Sequence, residues 1–254
     1  MVKLSVVIIT LNEERNIGRC LESVSEIADE IVVVDSFSTD RTRLICEQYG
    51  VRFIEEKFRG HIQQKNFANN QATFPHQLSI DADEALSDEL KKEIHRIKAN
   101  WACDGYRMNR LSNYCGKWIR HCGWYPDTKL RLYNLAKGEY QGTNPHDKFV
   151  MEHGSTVGFL KGDILHYTYY SVEEHLQRSD KYSTIAAREM VLSGKPVYFY
   201  KMFLNPLVKF IRNYFLFLGF LDGYYGFRIC CIQTIETYQK YRKAMQLKKG
   251  QKGK

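Results

Sequence analysis

Leu4 to Thr10 (LSVVIIT) is an almost unbroken run of aliphatic and β-branched residues, the pattern of a strand buried on both faces of a parallel sheet. The polar stretch Asn12-Glu13-Glu14-Arg15-Asn16 then opens a helix whose apolar residues Ile17, Cys20, Leu21 and Val24 recur at i, i+3, i+4 and i+7, one buried face. The alternation repeats. Glu30 to Asp35 (EIVVVD) predicts a second buried strand, Arg41 to Tyr49 a helix with Gly50 as its C-cap, and Val51 to Glu55 a third strand. His61 to Ala72 predicts another helix and Gln77 to Asp81 a fourth strand, with a further helix starting near Ser87. A β-α-β-α-β-α-β series of this kind predicts an α/β fold, an open, mostly parallel, doubly wound sheet. Ligands of such sheets sit beyond the carboxyl ends of the strands, and Thr10, Asp35 and the acidic run Asp81-Ala82-Asp83-Glu84 all fall there.

That acidic run is the most pointed chemical feature. In an extended segment, side chains two residues apart face the same way, so Asp81 and Asp83 are expected to share one cationic partner. A few hard oxygen ligands suit Mg²⁺ or Mn²⁺ held jointly with a substrate phosphate rather than caged by protein alone. Neither G-x-G-x-x-G after the first strand nor G-x-x-x-x-G-K-[ST] anywhere is present, which argues against a dehydrogenase or a P-loop enzyme. A nucleotide can bind without those glycines: Asp35 suits a base imide or ribose hydroxyl.

Composition changes the picture at one end only. The chain has 254 residues, is 44% hydrophobic, and can bury one sizeable core. Its seven cysteines include no C-x-x-C pair, which favours a reducing cytoplasm over a disulfide framework or a zinc site. From Lys195 onward twelve Lys and Arg face two acids, so a formal charge of +8 divides into +10 for this end and −2 for the rest. Residues 197–227 are dense in Phe, Tyr and Leu but are interrupted by Lys201, Lys209 and Arg212, too often for a bilayer span of about 20 residues. The expected element is an in-plane helical anchor to an anionic membrane surface, and its apolar content argues against nucleic acid as the partner. The expected organisation is residues 1–100 and 101–194 as two halves of one domain, and 195–254 as a basic, aromatic-rich helical region.

Three motifs in order carry a family resemblance: Leu4 to Glu14 (LSVVIITLNEE), Val32-Val33-Val34-Asp35 with Ser38-Thr39-Asp40-Arg41-Thr42, and Asp81-Ala82-Asp83-Glu84. Together they resemble glycosyltransferase family 2 with its GT-A fold. Gln64-Lys65-Asn66, Trp124-Tyr125-Pro126-Asp127, Leu130-Arg131-Leu132-Tyr133, His146-Asp147 and Leu165-His166-Tyr167 resemble the branch containing lipopolysaccharide core β-glucosyltransferases. The resemblance implies a metal-dependent, inverting hexosyltransferase using a UDP-sugar, with UDP-glucose expected, and a lipopolysaccharide-core or other lipid-linked saccharide as acceptor. It implies work in the cytoplasm, peripherally on the inner face of the membrane.

By the same resemblance Asp35 binds the base, with Thr10, Asn12 and Glu14 lining its pocket; Asn12 and Glu14 read equally well as helix caps. Asp81 approaches the ribose and Asp83 ligates the metal. Lys65 faces the base or diphosphate, or is an ordinary exposed helix lysine. Phe37 stands where many members have glycine. For the base that takes the acceptor proton, Asp127, Glu139, Asp147 and Glu152 are candidates and Asp147 is preferred, as it stands where the branch has the glutamate of His-Glu. Arg120, Trp124, His146 and His166 are acceptor-side candidates, with His166 also a possible metal ligand. Transfer to a polyprenyl phosphate, and a non-catalytic binding protein of the same fold, are the rival readings.

Overall fold

The computed structural model describes residues 1–143, 146–194 and 196–252. The chain divides into two compact units, one of Met1–Leu111 with Asp127–Tyr167 and the other of Ser112–Pro126 with Thr168–Lys254.

In the first unit β1 (Leu4–Thr10), α1 (Ile17–Ser25), β2 (Glu30–Asp35), α2 (Thr42–Gln48), β3 (Arg52–Glu55), α3 (His61–Gln71) and β4 (His76–Asp81) follow the predicted series, except that the polar stretch 12–16 is loop and turn and α1 starts only at Ile17. Strands β3, β2, β1 and β4 lie side by side and parallel. Alternation puts Leu4, Val6 and Ile8 on one face against Ile17, Leu21 and Val24 of α1, and Val7 on the other with Val32, Val34 and Ala68. All are essentially solvent-free, which is why no polar alternation is visible in β1. Each such aliphatic side chain contributes about 1.5–3 kcal/mol on burial. The C-cap of α2 is Tyr49 rather than Gly50, which follows it in the left-handed conformation at φ 62°.

Beyond β4 the sheet changes character. A turn at Ala82-Asp83 leads into the short β5 (Glu84–Leu86), then α4 (Asp88–Ala99), β6 (Gly105–Tyr114), β7 (Lys117–Ile119), β8 (Asp127–Asn134), β9 (Gly138–Thr143), β10 (His146–Met151) and β11 (Val157–Tyr169). Here β8 runs antiparallel to both β4 and β6, and β5 antiparallel to β11, so the parallel arrangement belongs to the first four strands. Strands β9 and β10 form a separate hairpin in which Asp147 lies opposite Gly142.

Register settles where the strand ends meet. Thr10 pairs with Asp35 across β1 and β2, and Ile9 with Asp81 across β1 and β4. Thr10, Asp35 and Asp81 are therefore aligned along one carboxyl edge.

The second unit is built on α5 (Val172–Leu192), α6 (Lys201–Ile211), a π-helical turn at Arg212–Leu216, a 3₁₀ turn at Gly219–Asp222 and α7 (Gly223–Lys252). Tyr114 is fully buried among Trp124, Tyr169, His175 and Tyr225. Burial, followed by the charge of Arg178, pushes His175 down to about 4, and its Nδ1 lies 3.1 Å from the Tyr114 hydroxyl. Helix α6 differs from a core helix. It buries only Met202 and Pro206, while Phe203, Leu204, Leu207, Val208 and Ile211 are exposed. No single helix among the described residues is long and apolar enough to cross a membrane; Lys201–Leu216 and Gly219–Lys249, bent by 71°, reach that length and apolarity only as a pair.

Candidate active site

The loops leaving β1 and β2 are tied to each other by the residues that the motifs single out. Asn12 Oδ1 accepts from the Thr39 amide at 2.8 Å, its own amide donates to Ser38 Oγ at 2.7 Å, and Glu14 Oε2 accepts from the Arg41 amide at 3.1 Å. Asn12 and Glu14 thus act on the neighbouring loop rather than as caps: α1 begins at Ile17 and receives no side-chain cap from Asn16. Asn12 has φ 54°, a left-handed conformation that asparagine tolerates.

Asp35 is 1% exposed and accepts from the Ser38 amide at 2.6 Å and from the Ser38 hydroxyl through its other oxygen. Each carboxylate oxygen has two lone pairs, so both keep capacity for a further donor. Phe37 takes the left-handed conformation, φ 64°, with its side chain exposed. The loop keeps a glycine-type shape at a cost of about 1–2 kcal/mol for a residue with Cβ. Thr10 Oγ1 is buried and has no hydrogen-bond partner among the described residues.

Lys65 is not a surface lysine. Helix α3 turns Gln64, Lys65, Ala68 and Asn69 inward, a polar face carried by i, i+1, i+4 and i+5 spacing. Lys65 Nζ lies 3.1 Å from Asp81 Oδ1 and 2.9 Å from Asp147 Oδ2, and the side chain is 4% exposed. Burial and the nearby Arg131 push its pKa down, but Asp81, Tyr140 and Asp147 reverse this and it ends raised, so Lys65 is an ammonium ion. The next residue, Asn66, donates from Nδ2 to the Tyr140 carbonyl and accepts the Tyr140 amide on Oδ1, both at 2.9 Å, fastening β9 to α3.

Asp81 and Asp83 do not share a partner among the described residues. The extended alternation stops at Asp81, where β4 ends, and the turn carries Asp83 elsewhere. Asp81 Oδ2 accepts from Arg131 at 2.8 Å and Oδ1 faces Lys65. Burial alone would raise its carboxyl, but Arg131 and then Lys65 hold it far below the usual carboxylate range. Asp83 Oδ2 instead lies 3.2 Å from His166 Nε2 on β11, and the Asp83 carbonyl accepts the Tyr167 amide at 2.9 Å. Glu84, the third acid, is wholly buried and structural: it accepts the Asp81 amide at 3.0 Å and meets Arg110 at 3.4 Å and Arg131 at 3.5 Å.

Arg110 and Arg131 therefore serve internal carboxylates. Asp127, one of the candidate bases, is paired by Arg110 at 2.7 Å and Lys129 at 2.9 Å. Asp147 is contacted by Lys65 on one oxygen; Oδ1 takes no hydrogen bond among the described residues. The side chain of His146 lies outside the described residues. In the second unit Trp124 is packed in the aromatic cluster, and the Arg120 guanidinium sits 5.5 Å over the Tyr125 ring. Sequence reasoning missed the roles of Arg131, Glu84 and Asn66; the polar face of α3 was the one available signal for the last.

An aspartate oxygen and an imidazole nitrogen 3.2 Å apart fit two ligands of one divalent ion, a hard oxygen and a borderline nitrogen. No group of three or more His, Cys, Asp or Glu among the described residues forms a closed cage, so substrate oxygens would have to complete such a site.

The model of the family described as glycosyl transferase family 2 matches residues 5–153. The chain is 33% identical over 258 residues to the lipopolysaccharide core biosynthesis glycosyltransferase LpsC of Rhizobium meliloti (strain 1021), covering 94% of this chain and 93% of that protein. It is 31% identical over 257 residues to glycosyltransferase RT0209 of Rickettsia typhi, covering 97% and 88%. Among solved structures, residues 1–349 of S. aureus TarS in complex with UDP match with a TM-score of 0.48 and 16% identity over 95% of this chain and 91% of that one. The family model over more than half of the chain and the 33% identity with LpsC over nearly all of it decide the matter: the chain is a glycosyltransferase of family 2, with the GT-A fold.

Proposed function

We propose that the protein transfers a hexose, glucose foremost, from a UDP-sugar to a saccharide of the lipopolysaccharide core type, with inversion and with help from Mg²⁺ or Mn²⁺. The observation that carries the donor side is the alignment of Thr10, Asp35 and Asp81 on one edge, with the Asp83–His166 pair one turn further on. Buried Thr10 Oγ1 and the remaining lone pairs of Asp35 supply partners for the uracil and ribose. Asp81, fixed by Arg131 and Lys65, takes a ribose hydroxyl on the same edge. Asp83 and His166 hold the cation, which when bound neutralises charge on the departing diphosphate.

On the acceptor side, Asp147 is the proposed base. Its Oδ1 accepts the proton of the attacking hydroxyl as that oxygen bonds to the anomeric carbon, and the bond to UDP breaks on the opposite face. The acceptor class is supported by the 33% identity with LpsC over nearly the whole chain. Asp147→Asn is expected to bind UDP as tightly as the wild type, by calorimetric titration with Mn²⁺, and to lose about 10²–10⁴-fold in transfer, the usual contribution of a general base. Full transfer by this variant would assign the base elsewhere, and no UDP binding by the wild type would remove the nucleotide-sugar reading altogether.

We also propose that the protein works on the cytoplasmic surface of an anionic membrane. The support is the exposed side of α6 and the turn after it, where Phe203, Leu204, Leu207, Phe215 and Leu216 are exposed, with half-buried Lys201 and exposed Arg212 in the same stretch. An apolar face edged with cations suits lipid headgroups of negative charge. Phe203→Asp with Leu207→Asp is expected to lower sedimentation with phosphatidylglycerol vesicles at least roughly tenfold, given about 0.8 kcal/mol per buried CH₂. Unchanged sedimentation would remove the membrane from the proposal.

A further inference from the structure

The turn joining α6 to α7 exposes no charge of its own over fifteen residues. From Asn213 to Phe227 there is no Lys or Arg, and the one acid is Asp222. Asp222 is buried; its carboxylate accepts the His121 amide at 2.9 Å and lies 3.1 Å from His121 Nδ1, so it is turned inward. What faces outward is apolar. Every residue from Phe215 to Leu221 except Gly219 is exposed, Leu216 at 72% and Leu221 at 55%. Single exposed apolar residues are ordinary on a protein surface, whereas a contiguous run of this kind marks an interaction site. Lys201–Leu216 and Gly219–Lys249 are bent by 71° where they meet, and this run is the apex of the bend.

The backbone of the turn is closed on itself. The Phe217 amide donates to the Arg212 carbonyl at 2.8 Å, the Leu218 amide to the Phe215 carbonyl at 3.3 Å and the Leu221 amide to the Leu218 carbonyl at 2.9 Å. The Phe217 carbonyl accepts the Cys122 amide at 3.0 Å. The Gly219 carbonyl is pressed against α7 at Gly226, where a Cβ would run into its oxygen. A turn bonded in this way can leave water, because much of the cost of entering lipid lies in backbone groups without partners.

Cations flank the turn at its base. The nearest on either side in sequence, Arg212 and Arg228, hold their guanidinium groups 5.5 Å over the Phe217 ring and 6.0 Å over the Tyr224 ring, and Lys117 Nζ reaches the Asp222 carbonyl at 2.7 Å. An apolar apex with cations at its base and no exposed acid matches acyl chains beneath anionic headgroups. We propose that the turn 213–227 inserts, apex first, into the acyl-chain boundary of one leaflet of an anionic bilayer, with Arg212, Arg228 and Lys117 at the level of the phosphates. The insertion rests on the membrane reading above and takes it from contact at the surface to penetration, about 5–10 Å deep. The chain enters and leaves on the same side.

Depth is the quantity that tests this. In the full-length protein, Leu221→Trp adds a fluorophore at the apex. On phosphatidylglycerol vesicles containing phosphatidylcholine brominated within its acyl chains, the emission gained over the wild type is expected to be quenched by bromine and shielded from iodide. Quenching by iodide and not by bromine, on vesicles that do bind the protein, overturns insertion and leaves the membrane reading standing. Vesicles that bind no wild-type protein bring down both. Leu216→Ser with Leu221→Ser is expected to lower sedimentation with the same vesicles at least roughly tenfold in about 1 M NaCl, where headgroup attraction is screened, with an unchanged circular dichroism spectrum to show that the variant folds. Equal sedimentation overturns the proposal. So does a wild type that is dimeric without lipid and becomes monomeric on these two substitutions, since a second copy would then cover the apex.

Discussion

Asp83→Ala is expected to abolish sugar transfer and metal-dependent UDP binding while leaving the protein as stable as before. The stability half follows from its surroundings. Asp83 sits in a turn, its side chain is 22% exposed, and its side-chain partner is the His166 imidazole at 3.2 Å. Removal of one partly exposed pair costs about 0–1 kcal/mol. The activity half follows from the donor set. With the carboxylate gone, one imidazole remains, and a single neutral nitrogen cannot retain a hard divalent ion against water. The charge developing on the leaving diphosphate would then be uncompensated, a loss of several kcal/mol in the transition state and about 10³-fold in kcat. Calorimetry of UDP with Mn²⁺ and with chelator, beside a transfer assay, separates the two halves. Wild-type-like transfer by Asp83→Ala would sink the metal assignment; equal UDP affinity with and without chelator in the wild type would do the same without any mutation.

For Arg131→Met the expectation is reversed: the fold suffers first. Arg131 is 6% exposed and spans Asp81, Glu84 and the Tyr140 hydroxyl, at 2.8, 3.5 and 3.3 Å. Methionine fills much of the volume but leaves the buried Glu84 side chain with Arg110 as its remaining cationic partner among the described residues, beside the Asp81 amide. Breaking a buried ion pair from one side costs about 3–5 kcal/mol, which for a chain of this size lowers Tm by roughly 10 °C. The pH dependence carries the sign. Although burial raises the Asp81 carboxyl, Arg131 and Lys65 depress it below its unfolded value, near 3.9. Its contribution is complete above that value and is lost as pH falls towards the folded pKa, so wild-type stability drops on acidification below about pH 4. In Arg131→Met this loss should be smaller. Urea melts at pH 7 and pH 3 measure both effects, and a variant as stable as the wild type at pH 7 would show that Arg110 and Lys65 carry the network without it.

What the chain disclosed on inspection was local. The β-branched runs and helical spacing located β1 to β4, because both faces of a parallel strand are buried and the turns between are short. Asp35 and Asp83 could be singled out because strand ends in such sheets converge. The assignments that failed or were missed depend on distant residues. The parallel pattern breaks at β8, which enters from 46 residues beyond β4 by a route no periodicity marks. Glu84 resembles its acidic neighbours in sequence, yet two arginines from β6 and β8 make it an interior residue. Lys65 looked exposable because α3 has few apolar residues; its buried face is polar, and a helix read by hydrophobicity alone shows nothing there. The aromatic stretch near α6 was visible, and so was the outward apolar face that an in-plane anchor requires: Phe203, Leu204, Leu207 and Val208 are exposed.

The fastening of β9 by Asn66 has a consequence for how this sequence can drift. Both atoms that Asn66 engages belong to the backbone of residue 140, and every amino acid except proline supplies them. The contact therefore demands nothing of the side chain at 140 and everything of the one at 66. Aspartate lacks the donor, and glutamine carries the amide one methylene too far. Compensation by a second substitution, the usual escape for paired side chains, is closed to this pair, so the hairpin bearing Asp147 is moored to α3 at a position where the genetic alphabet offers a single letter.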